Sequence, residues 1–125
     1  MLTNHLITTD VSVAIEEREI MKGTTTTLSC VVDAPFETTK EFDIMWTSHG
    51  ITWDSKNPTT IDHHSASRGE LELEDDAQRK QQVATLEVKP AAVTSDVQYT
   101  CAVNSTVYVL ENADDKYTLN LGVYG

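Results

Sequence analysis

The residues able to do chemistry in this sequence are few, and most lack the spacing that chemistry needs. Cys30 and Cys101 are its only two cysteines. Their separation matches no Cys-x-x-Cys metal or redox motif, so a structural bridge is the leading reading, with two unlinked buried thiols as the alternative. The four histidines are His5, His49, His63 and His64. His63 and His64 are neighbours and point opposite ways on an extended chain, and no further ligands accompany them at fixed spacing, so a solvated loop is expected over a metal site. Asp75-Asp76 and Glu111-Asn112-Ala113-Asp114-Asp115 are oxygen-rich stretches of the kind that can hold calcium. Neither matches an EF-hand loop, and turn chemistry alone accounts for Asn and Asp there. No nucleophile elbow is present, and the five glycines form no phosphate-binding run. The sequence predicts no enzyme, no cofactor and no metal. Asn104-Ser105-Thr106 is its one glycosylation sequon, because Asn57 is followed by Pro58.

Composition bounds the rest. A chain of 125 residues with 39% hydrophobic content can bury one core but not two. The net charge of −11 argues against nucleic acid and anionic membranes, which need Lys and Arg on their footprint, and is compatible with a basic partner. No stretch approaches the ~20 apolar residues of a membrane-spanning helix, so no membrane insertion is expected. The start, Met1-Leu2-Thr3-Asn4-His5-Leu6, lacks the build of a signal peptide. The expectation is a single domain over residues 1–125, with its core at about 11–124, excised from a larger secreted or cell-surface protein.

The elements that must hold these residues are strands. Residues 10–15 alternate apolar and polar side chains, as an edge strand does, and residues 16–23 form a charged segment ending at Gly23. Residues 24–32 put Thr26, Leu28, Cys30 and Val32 on one face. After a polar loop containing Phe36, the run Phe42-Asp43-Ile44-Met45-Trp46 sends Ile44 and Trp46 inward and Met45 and Thr47 outward. A turn at His49-Gly50 follows. Residues 54–68 read as loop with a short edge strand near 59–61. Residues 69–74 and 82–88 form a hairpin, with Glu70, Glu72 and Glu74 outward on one strand and Ala84, Leu86 and Val88 inward on the other. Tyr99, Cys101 and Val103 then share a face on a strand expected to continue through residues 102–110. It returns as a final strand over 117–124, with Leu119, Leu121 and Val123 inward. No helix longer than a turn is expected. The chain is all-β.

The order Cys30, Trp46, then Tyr99-x-Cys101 resembles the immunoglobulin superfamily, and so does the approach Gly23 through Leu28 to Cys30. The resemblance runs from about Val11 to Tyr124. It implies an immunoglobulin-like two-sheet Greek-key sandwich in which Cys30 and Cys101 are joined across the sheets. Trp46 packs on the bridge, Leu86 lies in the core and Tyr99 makes a corner hydrogen bond. Such a bridge persists in oxidising surroundings, which implies an extracellular location. The cysteine spacing is similar to the longer, variable-type layout, although Leu121-Gly122-Val123-Tyr124-Gly125 is a poor match to the Phe-Gly-x-Gly bulge of antigen receptors. Family members usually carry Asp six positions before the second cysteine, paired with an Arg. Here Ser95 holds that position and Asp96 follows, with Arg68 better placed than Arg79 to be the cation.

The fold is a frame rather than an activity. Long loops favour a recognition or adhesion module that binds another protein, a second copy of the chain included. The alternatives are a structural spacer and, less favoured, a carbohydrate- or metal-binding sandwich or a small hydrolase, for which Trp53 with His49 is the only hint of a platform. Strand parity places Met45, Thr47, Trp53, Tyr108 and Leu110 outward on the sheet that holds Trp46, with Trp53 and Tyr108 packed under loops as the alternative. A projecting hairpin would carry Tyr108, Leu110, Glu111, Asp114, Asp115 and Tyr117 at its tip, beside Phe36 in the 35–41 loop. Asn104, outward on the body of the same sheet, would bear a glycan that leaves this tip free.

Overall fold

The structure is a computed structural model that describes residues 7–35, 42–57, 59–72, 79–111 and 116–125. Its strands are β1 (Ile7–Asp10), β2 (Ser12–Ile15), β3 (Arg18–Met21), β4 (Thr26–Pro35), β5 (Phe42–Ser48), β6 (Ile51–Asp54), β7 (Thr59–Ile61), β8 (His64–Glu72), β9 (Arg79–Val88), β10 (Val97–Ser105), β11 (Tyr108–Glu111) and β12 (Tyr117–Tyr124). The helical content among the described residues is one 3-10 turn, Pro90–Ala92. Two five-stranded sheets pack face to face. The front sheet runs β3-β12-β10-β5-β6 and the back sheet β2-β4-β9-β8-β7, while β1 and β11 form a small third pair. The chain passes from back to front between β2 and β3, between β4 and β5, and again between β9 and β10, which gives the sandwich its Greek-key order.

Alternation builds the core. Leu28, Cys30, Val32 and Ala34 of β4 face Phe42, Ile44 and Trp46 of β5, and Ala84, Leu86 and Val88 of β9 face Tyr99, Cys101, Leu119 and Leu121 from the front sheet; all are buried. These are the inward positions that period-2 patterning selects. The hairpin between β5 and β6 closes on His49-Gly50, both at positive φ (49° and 76°), as a two-residue turn matching the strand twist requires. A second such turn, Asp62-His63 at φ 52° and 64°, joins β7 to β8.

Three strand expectations change. The first edge strand is two strands, β1 and β2, separated by the buried Val11, whose N–H donates to the Glu111 carbonyl at 3.0 Å. The strand expected from residue 69 begins at His64, so the last third of the expected 54–68 loop is sheet. The strand after Cys101 stops at Ser105. There the Ser105 hydroxyl accepts the N–H groups of Val107 (3.1 Å) and Tyr108 (2.9 Å), a local turn that competes with the ladder. Beyond it β11 pairs in parallel with β1 and not with β12, so Tyr108 and Leu110 belong to no projecting hairpin with the last strand.

Candidate functional site

Cys30 of β4 and Cys101 of β10 are fully buried and joined, with a Cα–Cα distance of 6.5 Å across the two sheets. Trp46 stands directly opposite Cys101 on β5, and Leu86 opposite Leu28 on β9. Tyr99 is 1% exposed, but its hydroxyl is hydrogen-bonded to His64 Nε2 at 2.6 Å, so the corner bond implied by the resemblance is here a side-chain bond between the sheets. The Asp96 carboxylate accepts the Val123 N–H at 2.7 Å. Arg68 donates to the carbonyl of Phe42, which sits opposite Ser105 at the far end of β10 from Asp96. The Arg–Asp pair usual in the family, which Ser95 at the Asp position already put in question, is not formed by Arg68 and Asp96, which lie at opposite ends of β10.

The outer face of the front sheet is the surface these elements hold flat. Register aligns Thr118, Thr100, Thr47 and Thr52 across four strands, and beside them Ala102, Met45 and Asp54, then Asn104 and Asp43. Asp43 and Asp54 meet diagonally across the strand pair. Burial raises the Asp43 pKa above its ordinary value of 3.8, and a hydrogen bond to Asp54 and repulsion from it push the same way, against attraction by Lys56 and Arg68. Burial pulls Asp54 upward too. It is outweighed by hydrogen bonds from Asp43, from the Lys56 backbone N–H at 2.9 Å and from Asn57, so Asp54 stays below its ordinary value.

The two aspartates act on stability in opposite senses. The raised Asp43 contributes stability at low pH that is lost as pH rises through its folded pKa, whereas the contribution of Asp54 is lost as pH falls through its own. Asp43→Asn keeps a donor for Asp54 and removes the repulsion. Its thermal midpoint should exceed that of the wild type at pH 7, and the gain should shrink toward pH 4. A lower midpoint at pH 7 would mean that the repulsion is not what sets this pair.

The expected partner-binding residues divide. Met45 remains half-buried on the outer face with Thr47, and Asn104 is exposed there. Trp53 does not point outward: it is 1% exposed and its Nε1–H donates to the Ile61 carbonyl at 3.0 Å. The two-residue His49-Gly50 turn sets Trp53 directly opposite the inward Trp46, and opposed residues in an antiparallel pair share a face. Tyr108 is half-buried, its ring edge-on to Phe42 with centroids 6.3 Å apart. Leu110 and Tyr117 also pack against the core. Glu111 is exposed. Phe36, Asp114 and Asp115 lie outside the described residues, as do Glu74 and the Asp75-Asp76 pair.

Sequence reasoning missed His64. Far from lying in a solvated loop, it opens β8 and is 5% exposed, wedged between Trp53 (ring centroids 4.6 Å) and Tyr99 (5.5 Å). The signal available was its parity with Ala66 and Arg68 in a strand read as starting too late. Among the described residues no group of three or more His, Cys, Asp or Glu side chains is arranged to hold a metal.

What fold and site define is a disulfide-bridged, two-sheet β-sandwich, compatible with the immunoglobulin-like layout. Among known proteins, no family model matches the chain and no curated sequence is similar to it.

Proposed function

We propose that this domain is an extracellular recognition module of immunoglobulin-superfamily type that binds another protein through the outer face of its front sheet. The observation that carries the reading is the face itself. Its centre is a register-aligned row of four threonines beside Ala102, side chains short enough to let a partner approach the sheet closely and with little rotamer freedom to lose, and the unbranched Met45 next to them can adapt to an uneven surface. The charged side chains that strand parity puts on this face, Glu19, Asp43 and Asp54, are all acidic. A basic partner surface complements them, and its association rate should fall as salt rises. The Cys30–Cys101 bridge supports an oxidising, extracellular setting.

The test displays the domain in multivalent form against cell-surface proteins and against itself. Thr47→Arg and Thr100→Arg should each weaken the binding found by about tenfold or more. Thr27→Arg, exposed on the back sheet, should leave it unchanged. A binder indifferent to both front-face variants would place the site elsewhere, and the absence of any binder would favour a spacer role.

The same reading predicts a glycan. Asn104 is exposed on β10 beyond the last residue of that strand paired with β12, Cys101. Secretion from eukaryotic cells should therefore give a protein whose mobility shifts on treatment with an N-glycosidase, and Asn104→Gln should abolish the shift. An unmodified secreted protein would leave the whole front face open to partners.

A further inference from the structure

Three of the four histidines and every non-glycine residue with positive φ among those described gather at one end of the sandwich. His49 sits in the β5–β6 turn, Asp62 and His63 form the β7–β8 turn, and His64 lies buried beneath them. Residues held in the left-handed region cost free energy that the surrounding packing must supply, and such positions often belong to elements that move.

The Lys89 N–H donates to the His63 carbonyl at 2.9 Å and the Thr60 and Ser65 hydroxyls meet at 3.0 Å, and three hydrogen bonds from buried side chains add to these. Trp53 Nε1 donates to the Ile61 carbonyl, His64 Nδ1 is 2.6 Å from the Asp62 carbonyl, and His64 Nε2 is 2.6 Å from the Tyr99 hydroxyl. A carbonyl only accepts, so Nδ1 carries the proton, Nε2 is the acceptor and Tyr99 is the donor. The network is therefore satisfied by a neutral imidazole. Adding a proton to Nε2 turns the Tyr99 contact into a donor facing a donor, unless the Tyr99 hydroxyl rotates and leaves its own proton buried without an acceptor.

We propose that His64 is an acid-operated latch: protonation of its imidazole releases the β7 edge and the β7–β8 turn from the sandwich while the bridged core stays folded. β7 is suited to the role. It is three residues long, pairs only with β8 and leaves Ile61 43% exposed, so beyond its short ladder with β8, the Thr60–Ser65 contact and the Lys89 bond to the turn, it is the Trp53 and His64 side chains that tie it to the core.

The groups facing the ring bear this out. Burial lowers the His64 pKa below its ordinary 6.5, and the like charges of His63 from the turn and His49 from β5–β6 push the same way. The Asp62 carbonyl and carboxylate oppose them without prevailing. From β10, Tyr99 is pushed up to about 12, first by burial and then by Asp62, so it supplies no negative charge to offset an imidazolium. The sign follows. A depressed folded pKa means that the unfolded or opened state binds the proton more tightly, so the closed end loses stability as pH falls from 6.5 toward the folded value. His49 and His63 stand exposed at the same end of the sandwich.

Amide hydrogen exchange on the intact domain between pH 7.5 and 5 tests this, after correction for intrinsic rates. Protection at Thr59, Ile61, His64 and Ala66 should fall by about tenfold for each pH unit between 6.5 and the folded pKa, while amides of Leu119 and Leu121 keep theirs. His49→Gln with His63→Gln should retain most of the response, and His64→Gln should abolish it. Should His64→Gln not fold, the ring carbon shifts of His64 in the wild type must titrate together with the loss of protection. Protection lost uniformly in all strands, protection unchanged to pH 5, or a ring that titrates with no change in β7 would each overturn the proposal.

Discussion

Opening the Cys30–Cys101 bond is expected to lower the folding stability by about 4 kcal/mol, the chain-entropy value for a loop of this length. The bridged positions are 71 apart and include β5 through β9, so the bond constrains more than half of the chain in its unfolded state. A domain of this size is typically stable by about 5–15 kcal/mol, so the loss takes a large share of the whole. Both sulfurs are buried, and the two sheets meet around them. Cys30→Ala with Cys101→Ala therefore adds a small cavity to the entropic loss. Denaturant unfolding of the double variant should show a much lower midpoint, and reduction of the wild type should approach it. A change under about 1 kcal/mol would show that the packed sheets hold the fold without the bridge.

Trp53→Ala is expected to cost about 3–5 kcal/mol, in the range for removing a fully buried tryptophan and close to the cost of Trp46→Ala. The side chain fills the core between β6 and β8, stacks on His64 and anchors the β7 backbone through Ile61. An exposed tryptophan on a sheet face would change stability by only about 0.5 kcal/mol. The size of this single effect thus separates a buried wedge from a surface anchor. Because the same substitution removes the bond from Trp53 to the β7 backbone, amides of Thr59 and Ile61 should lose protection in the variant even at pH 7.5.

The core was legible because it obeys a period of two. Cys30, Trp46, Leu86, Tyr99, Cys101, Leu119 and Leu121 fall where alternation puts them, and the final strand occupies the expected residues 117–124. What failed did so where parity was carried across a break. Counting outward from Cys101 to Tyr108 passes through the Ser105 turn, which changes both face and partner strand. Trp53 was misplaced for the opposite reason: a two-residue turn does preserve the pairing, and it carries the inward face of Trp46 straight to Trp53. His64 was hidden by composition, since Asp62, His63 and the surrounding Ser and Thr read as a polar loop. The burial that makes the ring distinctive comes from Trp53 and Tyr99, distant in sequence. The threonine row could not be seen in advance, because it is a product of register between four strands and of no local motif.

The recognition reading, the extracellular setting and the stability of the sandwich all lean on one covalent bond. Protein secreted into an oxidising medium, unfolded in denaturant without reductant and treated with a thiol-alkylating reagent, examines that bond directly by mass spectrometry. The account predicts no added label, and a digest in which the peptides bearing Cys30 and Cys101 travel as one species until reductant separates them. Two labelled cysteines in the unreduced protein would contradict it, removing both the bridge across the sheets and the main support for a role outside the cell.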